Sequence, residues 1–327
     1  MREISILDIE GVRVGHAQDT CAGTGCTVLV CEAGARAGVD VRGGAPATRE
    51  TDLLNPVNMI EKIHAVLLSG GSAFGLSAAG GVMRYLEERG IGFELTAADM
   101  RVTVPIVCGA SLFDLAVGDS LVRPDDAMGY EACANAWSSS QTPQGNIGAG
   151  TGASVGKLCG MGRAMKCGLG VYGLQAGGIK VASIVAVNAL GDVVDPDTGH
   201  ALAGLLDDGC KGMIDTELAM CGCAADVEID GSQVAGSNTT IGVVVTNGMM
   251  TKTQASKVAS MAHNGYARAL RPAHTMFDGD TIFALSVGDV EADVNVIGVL
   301  AARTMARAIR SAALHAKSAY GLRGAGG

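Results

Sequence analysis

Apolar positions along the chain repeat with two periods. The short runs CTVLVC (26–31) and HAVLLSG (64–70) have the length and flanking residues of buried strands. The stretch 72–90, SAFGLSAAGGVMRYLEERG, predicts a helix with a small-residue face, closed by Gly90. KVASIVAVNALGDVVD (180–195) predicts a hairpin turning near residues 188–192, and IGVVV (241–245) a further buried strand. Asn247 and Gly248 mark a turn after it, and Thr251 with Gln254 forms a capping box. Apolar residues at 255, 258, 259, 262, 266 and 269 then keep one helical face dry. A second long helix, about 291–317, carries Val294, Ile297, Ala301, Met305, Ile309 and Ala312 on one side. No repeat period and no linker interrupts the pattern. Strands and helices mix throughout, which predicts one α/β or α+β domain over 1–327, with helices covering sheet faces.

Composition narrows the function. With 327 residues, 48% of them hydrophobic, the chain can bury a large core. Its 48 glycines and 3% aromatics require that core to be filled by small aliphatic side chains with backbones in close approach. The net charge of -9 and the scattered Lys and Arg argue against a nucleic-acid partner. The start MREISILDIE lacks an apolar signal core, and no apolar run approaches membrane-spanning length, so the expectation is a cytoplasmic protein with no membrane partner. Ten cysteines spread through apolar context predict free thiols. Cys221 and Cys223 lack a second ligand pair at zinc spacing, so neither a metal nor another cofactor is expected.

Several motifs compete for the chemistry. GASVG (152–156) matches a nucleophile elbow at Ser154, but the glycine and asparagine loop before it is not the required strand. The same loop contains a loose dinucleotide fingerprint from Gly148, and Gly156-Lys157 imitates the end of a phosphate loop, where Leu158 replaces the required Ser or Thr. The segment DPDTG (195–199) lacks most calcium ligands and predicts a turn. Asn238-Thr239-Thr240 is formally a glycosylation acceptor without a secretory signal.

Position gives the two threonines another meaning. In a period-2 strand Thr239, Ile241, Val243 and Val245 share a face, which holds the Thr239 hydroxyl at the start of a packed interior. Cutting the bond after Asn238 would make Thr239 a new N-terminus, whose α-amine ordinarily titrates near 7.7 to 8.0. Nucleophile and base would then occupy one residue. Asn238 and Gly236 suit the unusual backbone such a bond requires. Taken alone, the stretch favours two ordinary strand threonines, and cleavage before Thr240 would move the nucleophile to the other face.

The motifs GVDVRGGAPATRETDLL (38–54), LSGGSAFGL (68–76), GNIGAGTGASVGK (145–157), NTTIGVVVTN (238–247) and RPAHTMFDGDTIFALS (271–286) resemble, in the same order, those of the self-processing aminopeptidases of peptidase family S58. That family comprises L-aminopeptidase/D-esterases, β-peptidyl aminopeptidases and nylon-oligomer hydrolases. The resemblance implies a four-layer αββα sandwich, made as a precursor that cuts itself into 1–238 and 239–327, and assembly into tetramers or larger. It implies Thr239 as nucleophile, Asp278 and Asp280 as the orienting pair, Asn188 as oxyanion stabiliser and Lys157 as a charge near the nucleophile. Either Phe113 or Tyr130 takes the place of the family's tyrosine. Substrates would be small amides or short peptides with a free amino terminus. A self-cleaving binding subunit or an acyltransferase of the same fold is the alternative.

Overall fold

The computed structural model describes residues 1–97, 100–223 and 238–326; Gly236 lies outside them. Ten strands are joined by pairing, nine along one path and β2 off it against β3: β1 (Arg2–Ile4), β2 (Val12–Asp19), β3 (Thr24–Val41), β4 (Thr48–Arg49), β5 (Ile63–Ser69), β6 (Val107–Ser111), β7 (Leu169–Ala176), β8 (Ile179–Asn188), β9 (Thr239–Gly248) and β10 (Thr281–Val290). The 18-residue β3 belongs to two sheets. Its first part pairs with β2 and β5, and residues 36–41 pair with β10. One sheet therefore runs β1-β7-β8-β9-β10-β3, and the other continues from β3 through β5 and β6 to β4.

Five helices complete the described fold: α1 (Ala78–Glu87), α2 (Asp126–Ser138), α3 (Thr216–Cys223), α4 (Lys252–Ala269) and α5 (Val294–His315). Strand alternation sorts side chains into layers. Ile241, Val243, Val245, Phe283 and Leu285 point between the sheets, against Leu29, Val66 and Leu68. Val244, Ile282 and Ala284 point the other way, onto α4 and α5 through Ala259, Tyr266, Ala301 and Met305. Helices α1 and α2 cover the second sheet through Ala79, Val82, Ala132 and Ala136. The result is the αββα sandwich, each apolar face matched to another. Gly170 shows why small residues are needed, since a Cβ there would overlap the Ala308 carbonyl of α5.

The expected helix at 72–90 begins as a 3-10 turn, Ser72–Ser77, before α1. The capping box at Thr251 and Gln254 is present. Two local expectations are corrected. Residues 180–195 are not a hairpin, because both edges of β8 are already paired, with β7 and β9. The chain leaves the sheet after Asn188, and Asp192–Val194 pairs with Ala201–Ala203 and Leu270–Arg271. The buried Asp192 carboxylate fixes that exit by accepting from Leu205 N, Thr216 N and Thr216 Oγ1. Asn247 and Gly248 also belong to β9 rather than to a turn. Among the described residues no helix is long and apolar enough to cross a membrane. Cys26, Cys31, Cys108, Cys133 and Cys167 are buried free thiols, but Cys21, Cys159, Cys210 and Cys221 are exposed.

Candidate active site

Three distant segments meet because of strand direction. Antiparallel pairing sets Asn188, the last residue of β8, opposite Thr239, the first of β9. Parallel pairing of β9 with β10 brings their starts to the same edge, and an isolated bridge joins Asn238 to Asp278. Lys157, Asn188, Asn238, Thr239, Asp278 and Asp280 are all buried there.

The Asn238 carbonyl oxygen accepts from Gly279 N at 3.0 Å and from the Thr239 hydroxyl. A Cβ on Gly279 would lie 2.6 Å from Thr239 Oγ1 and 2.8 Å from Ala45 O, so only glycine permits this approach. Thr240 is different. Its hydroxyl is buried with no partner among the described residues, while its N–H donates to Asp280 Oδ1 at 2.8 Å and its carbonyl accepts from Tyr266 at 3.1 Å.

The carboxylates of Asp278 and Asp280 are taken up by groups around Thr239 rather than by its hydroxyl. Asp278 Oδ2 accepts from Thr275 N at 2.9 Å and Thr275 Oγ1 at 2.5 Å, and its Oδ1 from Leu190 N at 3.3 Å. Asp280 Oδ2 accepts from His274 N at 3.0 Å and His274 Nδ1 at 2.8 Å. The reason is that buried backbone N–H groups at 190, 240, 274 and 275 need acceptors, and the carboxylates supply them. They clip together the loop, β9 and the exit of β8. Burial first, and then the neighbouring Asp280 charge, push the Asp278 carboxyl up to about 6.

Lys157 Nζ donates to Asn188 O at 2.9 Å. Burial lowers its amine to about 7, with the Asp278 carboxylate acting in the opposite direction. Lys157 is thus not a fixed positive charge near neutral pH. The Asn188 side chain is itself anchored, accepting at Oδ1 from Ser154 N (3.0 Å) and donating from Nδ2 to Phe113 O (2.8 Å). Ser154 serves here as a support. Phe113 reaches the site, whereas Tyr130 donates to Glu88 and packs edge-on against Tyr85 in the outer helical layer.

Three contributors were not singled out from sequence. Lys166, buried, donates to Gly150 O, Ala153 O and Cys167 O, pinning the glycine loop that carries Ser154 and Lys157. Asp114 accepts from Gly71 N at 2.7 Å and Thr24 Oγ1 at 2.8 Å, and burial raises its carboxyl. His274 is bonded to Asp280. A lone cation between Met165 and Cys167 was the available signal for Lys166. Among the described residues no group of three His, Cys, Asp or Glu could hold a metal.

The lowered Lys157 amine has a measurable sign. Its folded value, about 7, lies below its ordinary 10.5, so the unfolded chain binds more protons between them. Stability from this group is present above the unfolded value and is lost as the pH falls through about 7. Lys157→Met in an uncut Thr239→Ala background should therefore gain up to a few kcal/mol on its parent as the pH falls from about 10 to about 7, at about 1.4 kcal/mol per pH unit. Urea midpoints of the two proteins across that range check this. Parallel curves would show that Lys157 keeps an ordinary amine.

The profile of peptidase family S58 matches residues 5–326. The chain belongs to this family. An uncharacterised aminopeptidase of Mycobacterium leprae is 41% identical, over 97% of this chain and 92% of its own. A 6-aminohexanoate-oligomer endohydrolase of Paenarthrobacter ureafaciens is 32% identical, over 89% of this chain and 77% of its own. Among solved structures, a Burkholderia sp. β-aminopeptidase aligns at TM-score 0.68 and 19% identity, covering 99% of this chain and 91% of that one. The L-aminopeptidase D-Ala-esterase/amidase of Ochrobactrum anthropi, described as a variant of the Ntn-hydrolase fold, aligns at 0.69 and 17%, covering 95% and 86%. The last two likenesses establish the shared fold. Family and relatives together make this S58 member a hydrolase of amide bonds, of the aminopeptidase type.

Proposed function

We propose that the chain cuts itself between Asn238 and Thr239, and that the freed Thr239 is the nucleophile of an aminopeptidase acting on small amides or short peptides. The observation that carries this reading is the Thr239 hydroxyl against the carbonyl of the preceding bond, with the Gly279 N–H on the same oxygen. In the cut, a bond forms from Thr239 Oγ1 to the Asn238 carbonyl carbon. The Asn238–Thr239 C–N bond breaks, and the hydroxyl proton ends on the Thr239 nitrogen. Negative charge on the carbonyl oxygen is met by Gly279 N–H. Water then hydrolyses the ester, leaving a carboxylate on Asn238 and an amine on Thr239. Lys157, able to lose its proton near neutral pH, supplies a base before that amine exists.

In turnover, Thr239 Oγ1 attacks the substrate carbonyl while its own amine takes the proton and passes it to the leaving amine. Water releases the acyl group. Asn188 fixes the floor of the site through Ser154 and Phe113, and Asp278 and Asp280 hold the strand starts in register. Because Thr239 is buried in the continuous chain, substrate enters only once Asn238 is free to move away. The free thiols fit a reducing, cytoplasmic setting, and αβ units are expected to assemble as homo-oligomers.

A panel of amino-acid p-nitroanilides tests the activity. Release of p-nitroaniline from free-amine substrates, and not from their N-blocked forms, is expected. A cut but silent protein would instead be a binding subunit. Release that requires an added amine acceptor would make it an acyltransferase.

A further inference from the structure

We infer that His274 is a positioning residue for the nucleophile strand, acting through Asp280; this rests on the reading of Thr239 as nucleophile. His274 has φ 62, a left-handed backbone that residues bearing a Cβ rarely adopt. In that conformation its N–H and its ring Nδ1 both donate to one oxygen, Asp280 Oδ2. The other oxygen of Asp280 accepts the Thr240 N–H, one residue from the nucleophile. The imidazole also stacks on Tyr266, with centroids 5.8 Å apart, and Tyr266 donates to the Thr240 carbonyl. The Thr240 N–H and the Thr240 carbonyl are thus both held by groups that lean on His274.

The surroundings make that grip selective. His263 from α4 packs edge-on against His274 at 4.7 Å, and its Nε2 is taken up by the Asp40 carbonyl on β3. Arg42, beside Asp40, is bonded to that side chain and to Ser260. Asp278 lies across from Asp280, with Lys157 interacting with it. The His274 ring is one-fifth exposed, and its Nε2 is buried with no partner among the described residues. His274 is therefore the side chain that donates to Asp280 from the loop side. Its ring N–H and backbone N–H both meet the Asp280 carboxylate as donors and fix where that carboxylate points.

Two substitutions separate this role from packing. Asparagine and glycine both tolerate a left-handed backbone and both keep the backbone N–H on Asp280, but only asparagine keeps a side-chain donor for it. In the full chain, His274→Gly should slow appearance of the 239–327 fragment and kcat/KM on p-nitroanilides by roughly tenfold or more. His274→Asn, which restores a side-chain donor, should recover most of the rate. A glycine variant with wild-type rates, or an asparagine variant as defective as glycine, would overturn the inference. Asp280→Asn serves as the control. If it is slow while His274→Gly matches wild type, His274 alone loses its role. If Asp280→Asn processes normally, the reading of the site itself fails.

Discussion

Thr239→Ala is expected to yield a folded, uncut and inactive chain. The Thr239 hydroxyl bonds the carbonyl just before it, so its removal costs the fold about 1 kcal/mol or less. On the proposed function the same removal eliminates the attacking atom of both self-cleavage and turnover. Loss of a nucleophile from a concerted site lowers rate by roughly 10⁴-fold or more. Thr239→Ser, which keeps the oxygen, should still cut. Thr240→Ala should cut as well, since strand alternation turns the Thr240 side chain away from Thr239 and its buried hydroxyl has no partner among the described residues. Gel mobility of the three proteins after equal incubation distinguishes them. A Thr239→Ala chain that processes normally would assign the nucleophile elsewhere.

The second large effect lies in the carboxylate pair. Asp278→Asn and Asp280→Asn keep size while turning an N–H donor toward the backbone N–H groups of Leu190, Thr240, Thr275 or His274. A clip that was attractive becomes in part repulsive, and β9 loses its register against the loop. Processing and turnover should slow by roughly a hundredfold or more in each variant, while circular dichroism stays that of the wild type. Wild-type processing should itself fall with pH, through about 7 as Lys157 takes up a proton and further through about 6 as Asp278 does. Asp278→Asn should lack the second of these limbs. Chelators should leave the wild type unaffected; inactivation by EDTA would replace the clip with a metal site.

The layers of the sandwich were legible because each strand and helix states its period. Ile241, Val243 and Val245 do share the inter-sheet face, and Thr251 with Gln254 does open α4. Pairing was less legible. The apolar run 180–195 contains the turn residues of a hairpin, yet whether β8 has a free edge depends on β7 and β9, which lie elsewhere in the chain. The site shows the same division. Spacing and motif order brought Thr239, Asn188, Lys157, Asp278 and Asp280 to notice, and the fold brings them together. Their hydrogen-bond partners were hidden, because backbone N–H groups carry no sequence signal. The carboxylates accept from backbone N–H groups, Asn188 is anchored to Phe113 O, and burial lowers the Lys157 amine to about 7.

Self-cleavage before Thr239 is tested most directly by the intact mass of the purified wild-type protein after long incubation. Two species should appear, corresponding to residues 1–238 and 239–327, the second beginning with Thr239 on N-terminal sequencing. A single species of 32.9 kDa would contradict it.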